Sequence, residues 1–351
     1  IPYYTVNPSS KPYLIDQIKA DEVYDNIIKD LDEVIDNNLL PESYTSGTYK
    51  VYGRMTRAAA QMLRENIINY QNDESRYNAV LTDMKEIIDS GRYSLYSNFA
   101  ELWEVDGEWC SESILEVNYT DKPSARTWGN PLGTGGSVTP QLIGINGLSG
   151  SSEFKAGWGF GTVSPVVYDL YDDEDQRKDG GILNIEKHKI DNPSVSYSPR
   201  YQDTGLFLRK YLPRKDGNAK ATGDIDLNYN NNYRIYRFAE TLLLAAELTV
   251  RTGGSQTDAD KYLNMVRARS YKMNIDDAAF AQYKRVATLD NILEEYRLEF
   301  VGEGHRFWDL VRFGKAEQVL GNRGYTATKK HLPIPRGEID KAQGTLTQNP
   351  Y

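Results

Sequence analysis

Apolar residues recur at helical spacing in three stretches separated by breaks. Over 21–37, DEVYDNIIKDLDEVIDN places Val23, Ile27, Leu31 and Val34 on one face, with Tyr24, Ile28 and Ile35 beside them, which predicts an amphipathic helix. From Gly53 to Ser90 two more stripes follow. Met55, Ala58, Ala59, Met62 and Leu63 make the first; Tyr77, Val80, Leu81, Met84 and Ile88 make the second. Small alanines on the first helix let its partner approach closely. A matching hairpin returns with Ile235, Phe238, Leu242, Ala245 and Ala246, then the break Gly253-Gly254. Thr257 with Asp260 reads as a capping box opening a helix that carries Ala259, Tyr262, Leu263 and Val266. Helix-turn-helix units of this size predict tetratricopeptide-like stacking, although the strict repeat consensus is absent.

Between the hairpins the pattern dissolves. From Glu112 to Leu212 the chain is rich in Gly, Ser, Pro, Asn and aromatics. Leu115, Val117 and Tyr119 alternate with Glu116 and Asn118, a short strand signal. The stretch from Thr120 to Thr162 holds many glycines and little periodicity, as functional loops do. Ser164 as N-cap and Pro165 at the first helical position predict a helix through VVYDLYDDEDQR, with the acidic run Asp172 to Asp175 as its solvated end. Asp224 to Asn232 reads as another polar loop. The expected organisation is a helical scaffold over 1–111, a loop-rich ligand-binding lobe over 112–232 with short strands and one helix, and further scaffold over 233–351, together one compact unit.

Near the C-terminus, Leu289, Ile292, Leu293, Tyr296 and Phe300 form one stripe, Gly302 and Gly304 interrupt it, and Phe307, Leu310 and Val311 begin another. Glu294 and Arg297, and Arg306, Asp309 and Arg312, lie at pairing distances, predicting a hairpin with a charged outer face. The run ILEEYRLEFVGEGHRFWDLVRFGK, followed by HLPIPRGEID and then LTQNPY, resembles the C-terminal signature of the SusD/RagB family. YGRMTRAAAQMLRENI and YRIYRFAETLLLAAEL resemble further helices of that family. The resemblance implies a mainly α fold, a tetratricopeptide-like helical-hairpin scaffold with a loop-rich lobe containing short β-strands. It also implies non-catalytic capture of nutrients, usually glycans, on the outer face of the cell outer membrane, for delivery to a SusC-like TonB-dependent transporter barrel. Family precursors carry a signal peptide, a lipid-modified cysteine and a helical region ahead of the point where Ile1 stands. A start further upstream is therefore expected, with the membrane reached only through a lipid anchor absent from this chain.

Charge and composition narrow the alternatives. The 351 residues carry a net charge of −9, which disfavours nucleic acid, since phosphate binding needs clustered cations, and equally a basic membrane-docking face. Cys110 is the only cysteine, so no disulfide forms within the chain. No cofactor motif is recognisable. Asp224, Asp226 and Asn228 begin like a calcium loop, but Tyr229 holds the glycine position and no Glu closes it; His188, His305 and His331 lack zinc spacing. No metal site is expected. His305 between Glu303 and Asp309 has no Ser or Cys nucleophile nearby and reads as structural. No catalytic residue is assigned.

Glycan recognition needs flat apolar faces for the C–H side of a sugar ring and polar groups for its hydroxyls. The loop region offers Tyr119, Trp128 and Trp158, with Arg126 and Asn130 flanking Trp128, and these five are the expected ligand-binding residues. Trp128 lies in ARTWGNPLGTGG without core periodicity; Trp158 lies in KAGWGFGTVSP and equally suits packing. Trp103 and Trp109 are expected in the core. The 26 tyrosines also suit a wet binding surface. Capture of peptides by the same fold, a glycosidase using paired carboxylates, and a helical adaptor binding only protein are the competing readings.

Overall fold

The computed structural model describes residues 1–5, 14–46, 49–122, 126–130 and 135–350. Its scaffold helices are α1 (Ala20–Asp36), α2 (Arg57–Gln71), α3 (Tyr77–Asp89), α4 (Phe238–Arg251), α5 (Gln256–Ser270), α6 (Leu289–Glu299) and α7 (Arg306–Arg312). Thr56 starts α2 by accepting from the Ala59 amide at 3.3 Å, and Asn72 ends it in the left-handed conformation at φ 55°. Between those caps Ala58, Ala59 and Ala60 are buried, so α2 seats closely against its neighbours. α4 is buried almost all round and packs against α3, α5 and α6; Leu242, Leu243, Ala246, Met62, Met84, Leu263 and Ile292 meet there in one core. The architecture is the mainly helical one expected, with helix pairs stacked on a central helix.

Among the described residues three two-stranded antiparallel ladders accompany the helices: β1 (Tyr44–Ser46) with β2 (Tyr49–Val51), β3 (Ser113–Val117) with β6 (Tyr233–Arg237), and β4 (Ile182–Asn184) with β5 (Leu206–Leu208). β6 runs straight into α4 and so fixes the loop region to the scaffold. The loop region has its own small core of Ile145, Phe154, Leu183, Ile185, Phe207 and Leu212. A further cluster with Phe99, Trp103, Tyr211 and Leu298 joins it to α6.

Between these cores lies a buried ionic network. Arg177, Lys210, Arg237, Arg267 and Arg269 face Asp175, Glu112, Glu295, Glu299 and Glu303, all at most 7% exposed. Arg177 reaches Glu295 at 2.7 Å, Lys210 reaches Glu303 at 2.6 Å, Arg237 reaches Glu299 at 3.0 Å, and Arg269 reaches Glu112 at 2.8 Å. Burial alone would raise the Glu299 carboxyl. Arg269, Arg237, Arg177 and Lys210 outweigh it and hold that carboxyl far below the usual range.

Several local expectations are corrected. The C-terminal hairpin does not turn its charges outward. Glu295, Glu299, Glu303 and Arg312 are buried because each finds a partner on another segment, and Asp309 is buried against Arg312 of its own helix, whereas Trp308 is 48% exposed. The expected strand forms as β3, but its burial does not alternate. Register shifts on both sides of Leu115 bury Glu116 and expose Val117, and Glu116 accepts from the Trp109 amide and from Asn232. The helix expected from Pro165 stops at Tyr168. Asp175 is no solvated end but a buried N-cap for Gln176–Gly181, bonded to the Arg177 amide and side chain. α5 is capped by Ser255, which accepts from Asp258, and not by Thr257. Trp103 is in the core as expected. Trp109 is half-buried, at φ 52°, and stacks on Tyr52 at 5.0 Å.

Candidate functional site

Trp128 occupies the tip of a tight turn. The Asn130 amide donates to the Thr127 carbonyl at 2.9 Å, and the Thr127 amide to the Asn130 carbonyl at 3.3 Å. The turn is held by the polar loop that resembles the start of a calcium site. Asp224 accepts the Trp128 amide at 2.7 Å, and its own amide donates to the Arg126 carbonyl. The fully buried Asn228 side chain donates to the carbonyls of Arg126 and Asp224 and accepts from the Gly136 amide. These side chains are spent as struts. Among the described residues no group of three His, Cys, Asp or Glu is placed to hold a metal.

Trp158 arrives on a different support. Its amide donates to the Gln141 carbonyl at 2.8 Å, on the short helix Thr139–Ile143, and Gly144 and Gly157 approach so closely that a Cβ on Gly144 would lie 2.8 Å from the Gly157 Cα. Gln141 also accepts from the Tyr229 hydroxyl at 3.1 Å, while the Tyr229 backbone bridges Ser137. Tyr229 thus ties the Trp158 support to the Trp128 support.

The two indoles meet nearly parallel, with centroids 5.9 Å apart and planes at 20°. Trp128 is 56% exposed and Trp158 half-buried. Two residues on, Phe160 is exposed between Gly159 and Gly161, both at positive φ. The Arg200 guanidinium lies 4.6 Å from the Phe160 ring centroid and donates to the Trp158 carbonyl. The next residue, Tyr201, is 92% exposed. The result is an apolar strip edged by amides, carbonyls and one guanidinium, suited to a flat molecule with one apolar face and polar edges.

Of the five residues expected to bind, the structure brings Trp128 and Trp158 together, with Asn130 closing the Trp128 turn. Arg126 donates to the Gly136 carbonyl and so braces the loop. Tyr119 is placed by its amide on Asn232, and among the described residues it stacks on neither tryptophan. Sequence reasoning missed Phe160, Arg200 and Tyr201 on the surface and Asp224 and Asn228 beneath it. Phe160 alone carried a signal, since glycines on both sides of an aromatic mark a loop tip.

The SusD family model matches residues 183–331. Surface glycan-binding protein A from Bacteroides thetaiotaomicron, solved in complex with laminarihexaose, superposes with a TM-score of 0.87 at 43% identity, over 96% of this chain and 72% of that one. The chain belongs to the SusD family. A structure titled laminarin binding SusD-like protein superposes with a TM-score of 0.79 at 34% identity, over 95% of this chain and 70% of that one. SusD-like protein P2 from Formosa agariphila is 23% identical over 376 residues, covering all of this chain and 69% of its own length. The helical scaffold is thus that of SusD-like surface proteins.

Proposed function

We propose that this SusD-like chain captures oligo- or polysaccharide without turnover, with laminarin as the first candidate ligand. The single observation that carries the reading is the near-parallel Trp128–Trp158 pair, half open to solvent and held by two separately braced loops. The naming of similar SusD-like proteins for glycan and laminarin binding supports it. Sugar rings lie on the indole faces, and the Arg200 guanidinium and loop carbonyls pair with hydroxyls. Such open sites hold ligand at micromolar to millimolar Kd, about −4 to −8 kcal/mol. The whole protein works at the outer face of the outer membrane, held there by a lipid anchor and passing ligand to a SusC-like TonB-dependent transporter barrel. Among the described residues no helix is long and apolar enough to cross a membrane.

Electrophoresis through gels containing laminarin, other plant and fungal glycans or no glycan tests this, with Trp128→Ala alongside. Laminarin should retard the parent chain, and the variant should lose at least about tenfold in affinity, about 1.4 kcal/mol. Equal retardation of both would remove Trp128 from the site. No retardation by any glycan would favour peptide ligands, and release of reducing ends by the pure protein would make it a glycosidase.

A further inference from the structure

A second, unrelated cavity opens on the scaffold between α2, α4 and α7, with a volume of about 360 Å³. Its polar lining includes Glu65 and Glu240, both at most 2% exposed. Each carboxylate is engaged on one side only. Glu65 Oε1 accepts from Asn69 at 3.0 Å; Glu240 Oε1 accepts from Asn66 at 3.4 Å and lies 3.9 Å from His305 Nδ1. Oε2 of each has no partner. The nearest guanidinium, on Arg312, is committed to Glu247 at 2.5 Å and Asp309 at 3.0 Å. The walls are aromatic: Tyr24, Tyr70 and Trp308 line the cavity, and the half-exposed Trp308 meets Tyr70 edge-on at 5.6 Å.

An uncompensated buried carboxylate is costly, and two facing one cavity doubly so. Burial pushes both acids upward, against the pull of Arg312 on Glu65 and of His305 on Glu240. A proton neutralises the charge but fills none of the cavity. A metal ion finds too few ligands, since no group of three His, Cys, Asp or Glu among the described residues is placed for one. Two free carboxylate oxygens beneath three aromatic rings match a planar organic cation, whose N–H groups take the oxygens while its faces lie against the rings. We propose that this cavity is a receptor for a guanidinium group, bound by Glu65 and Glu240 and walled by Tyr24, Tyr70 and Trp308. The group arrives either on a free organic cation or as an arginine side chain on a polypeptide.

The test follows the Trp308 indole N–H signal in nuclear magnetic resonance spectra of the whole chain. The probes are agmatine, the uncharged butylurea, and an alanine-based helical peptide bearing one arginine. Agmatine or the arginine peptide should shift the signal saturably, and butylurea should not. Glu65→Gln and Glu240→Gln should each weaken that binding at least about tenfold, about 1.4 kcal/mol. Saturation by agmatine assigns a free cation; saturation by the peptide alone assigns a side chain delivered by a polypeptide. Because the amide removes a buried charge without changing shape, both variants should also melt no lower than the parent. Should either fail to fold, Trp308→Ala replaces an exposed residue and should weaken binding severalfold. No saturable shift with either cation, or equal binding by parent and variants, overturns the proposal. Retention by laminarin gels should be unchanged in every variant, so this test is independent of the glycan reading.

Discussion

A Cβ at position 136 would sit 2.2 Å from the Asn228 backbone carbonyl carbon, so only glycine lets the Trp128 loop close on its strut. Gly136→Ala should cost about 1–3 kcal/mol by overpacking and weaken laminarin retention in step with Trp128→Ala, which thermal melting and affinity gels would read. Asp224→Ala, which removes the acceptor of the Trp128 amide, should weaken retention while leaving the melting temperature within a few degrees. A different residue governs pH. Burial, with Glu116 nearby, lifts the Glu108 carboxyl to about 7. A raised acid stabilises the fold when protonated, so its contribution is complete below about pH 4.5 and is lost as pH rises through about 7. Glu108→Gln, which stands in for the protonated acid, should match the parent's urea midpoint below about pH 4.5 and exceed it increasingly as pH rises through about 7. Trp128 was legible as an exposed loop residue because nothing periodic surrounds it. Asp224 and Asn228 were not, because their partners lie about a hundred positions earlier in the chain.

At the scale of elements, helices came through because their stripes are long, while their ends did not: Thr56 caps α2 after the stripe has begun at Met55, and Ser255 rather than Thr257 caps α5. The reading failed where a polar residue turned inward. The periodicity of α6 placed Ile292 and Tyr296 correctly, yet hydropathy alone sends Glu295 and Glu299 to solvent, and only the arginines of three other segments reverse that. β3 came through as a strand, and its register shift and buried Glu116 were what the alternation left unseen. Removing one member of such a network leaves its mates buried and unpaired. Glu299→Ala should therefore cost about 3–5 kcal/mol, measurable by chemical denaturation, while the exposed pair Arg336–Asp340 should cost less than about 1 kcal/mol to remove.

For the molecule as a whole, the stacking of helix pairs was legible from repeated stripes, and the family from its C-terminal motifs. The loop region between them was legible only as irregular. Its shape rests on contacts such as Tyr229 to Gln141 and Asn228 to Gly136, which pair residues with no local pattern to announce them. The paired indoles are a product of that folding, since neither Trp128 nor Trp158 carries information about the other.

The buried network also sets an order on the making of this protein. Arg177, Lys210, Arg237, Arg267 and Arg269 are all synthesised before α6, yet three of their five acidic partners, Glu295, Glu299 and Glu303, follow residue 288. A chain still growing on the ribosome holds cations that its interior cannot yet accept. Its inner core closes only when the last sixth of the sequence has emerged, and chains halted at residue 288 should remain open to protease where the finished protein resists.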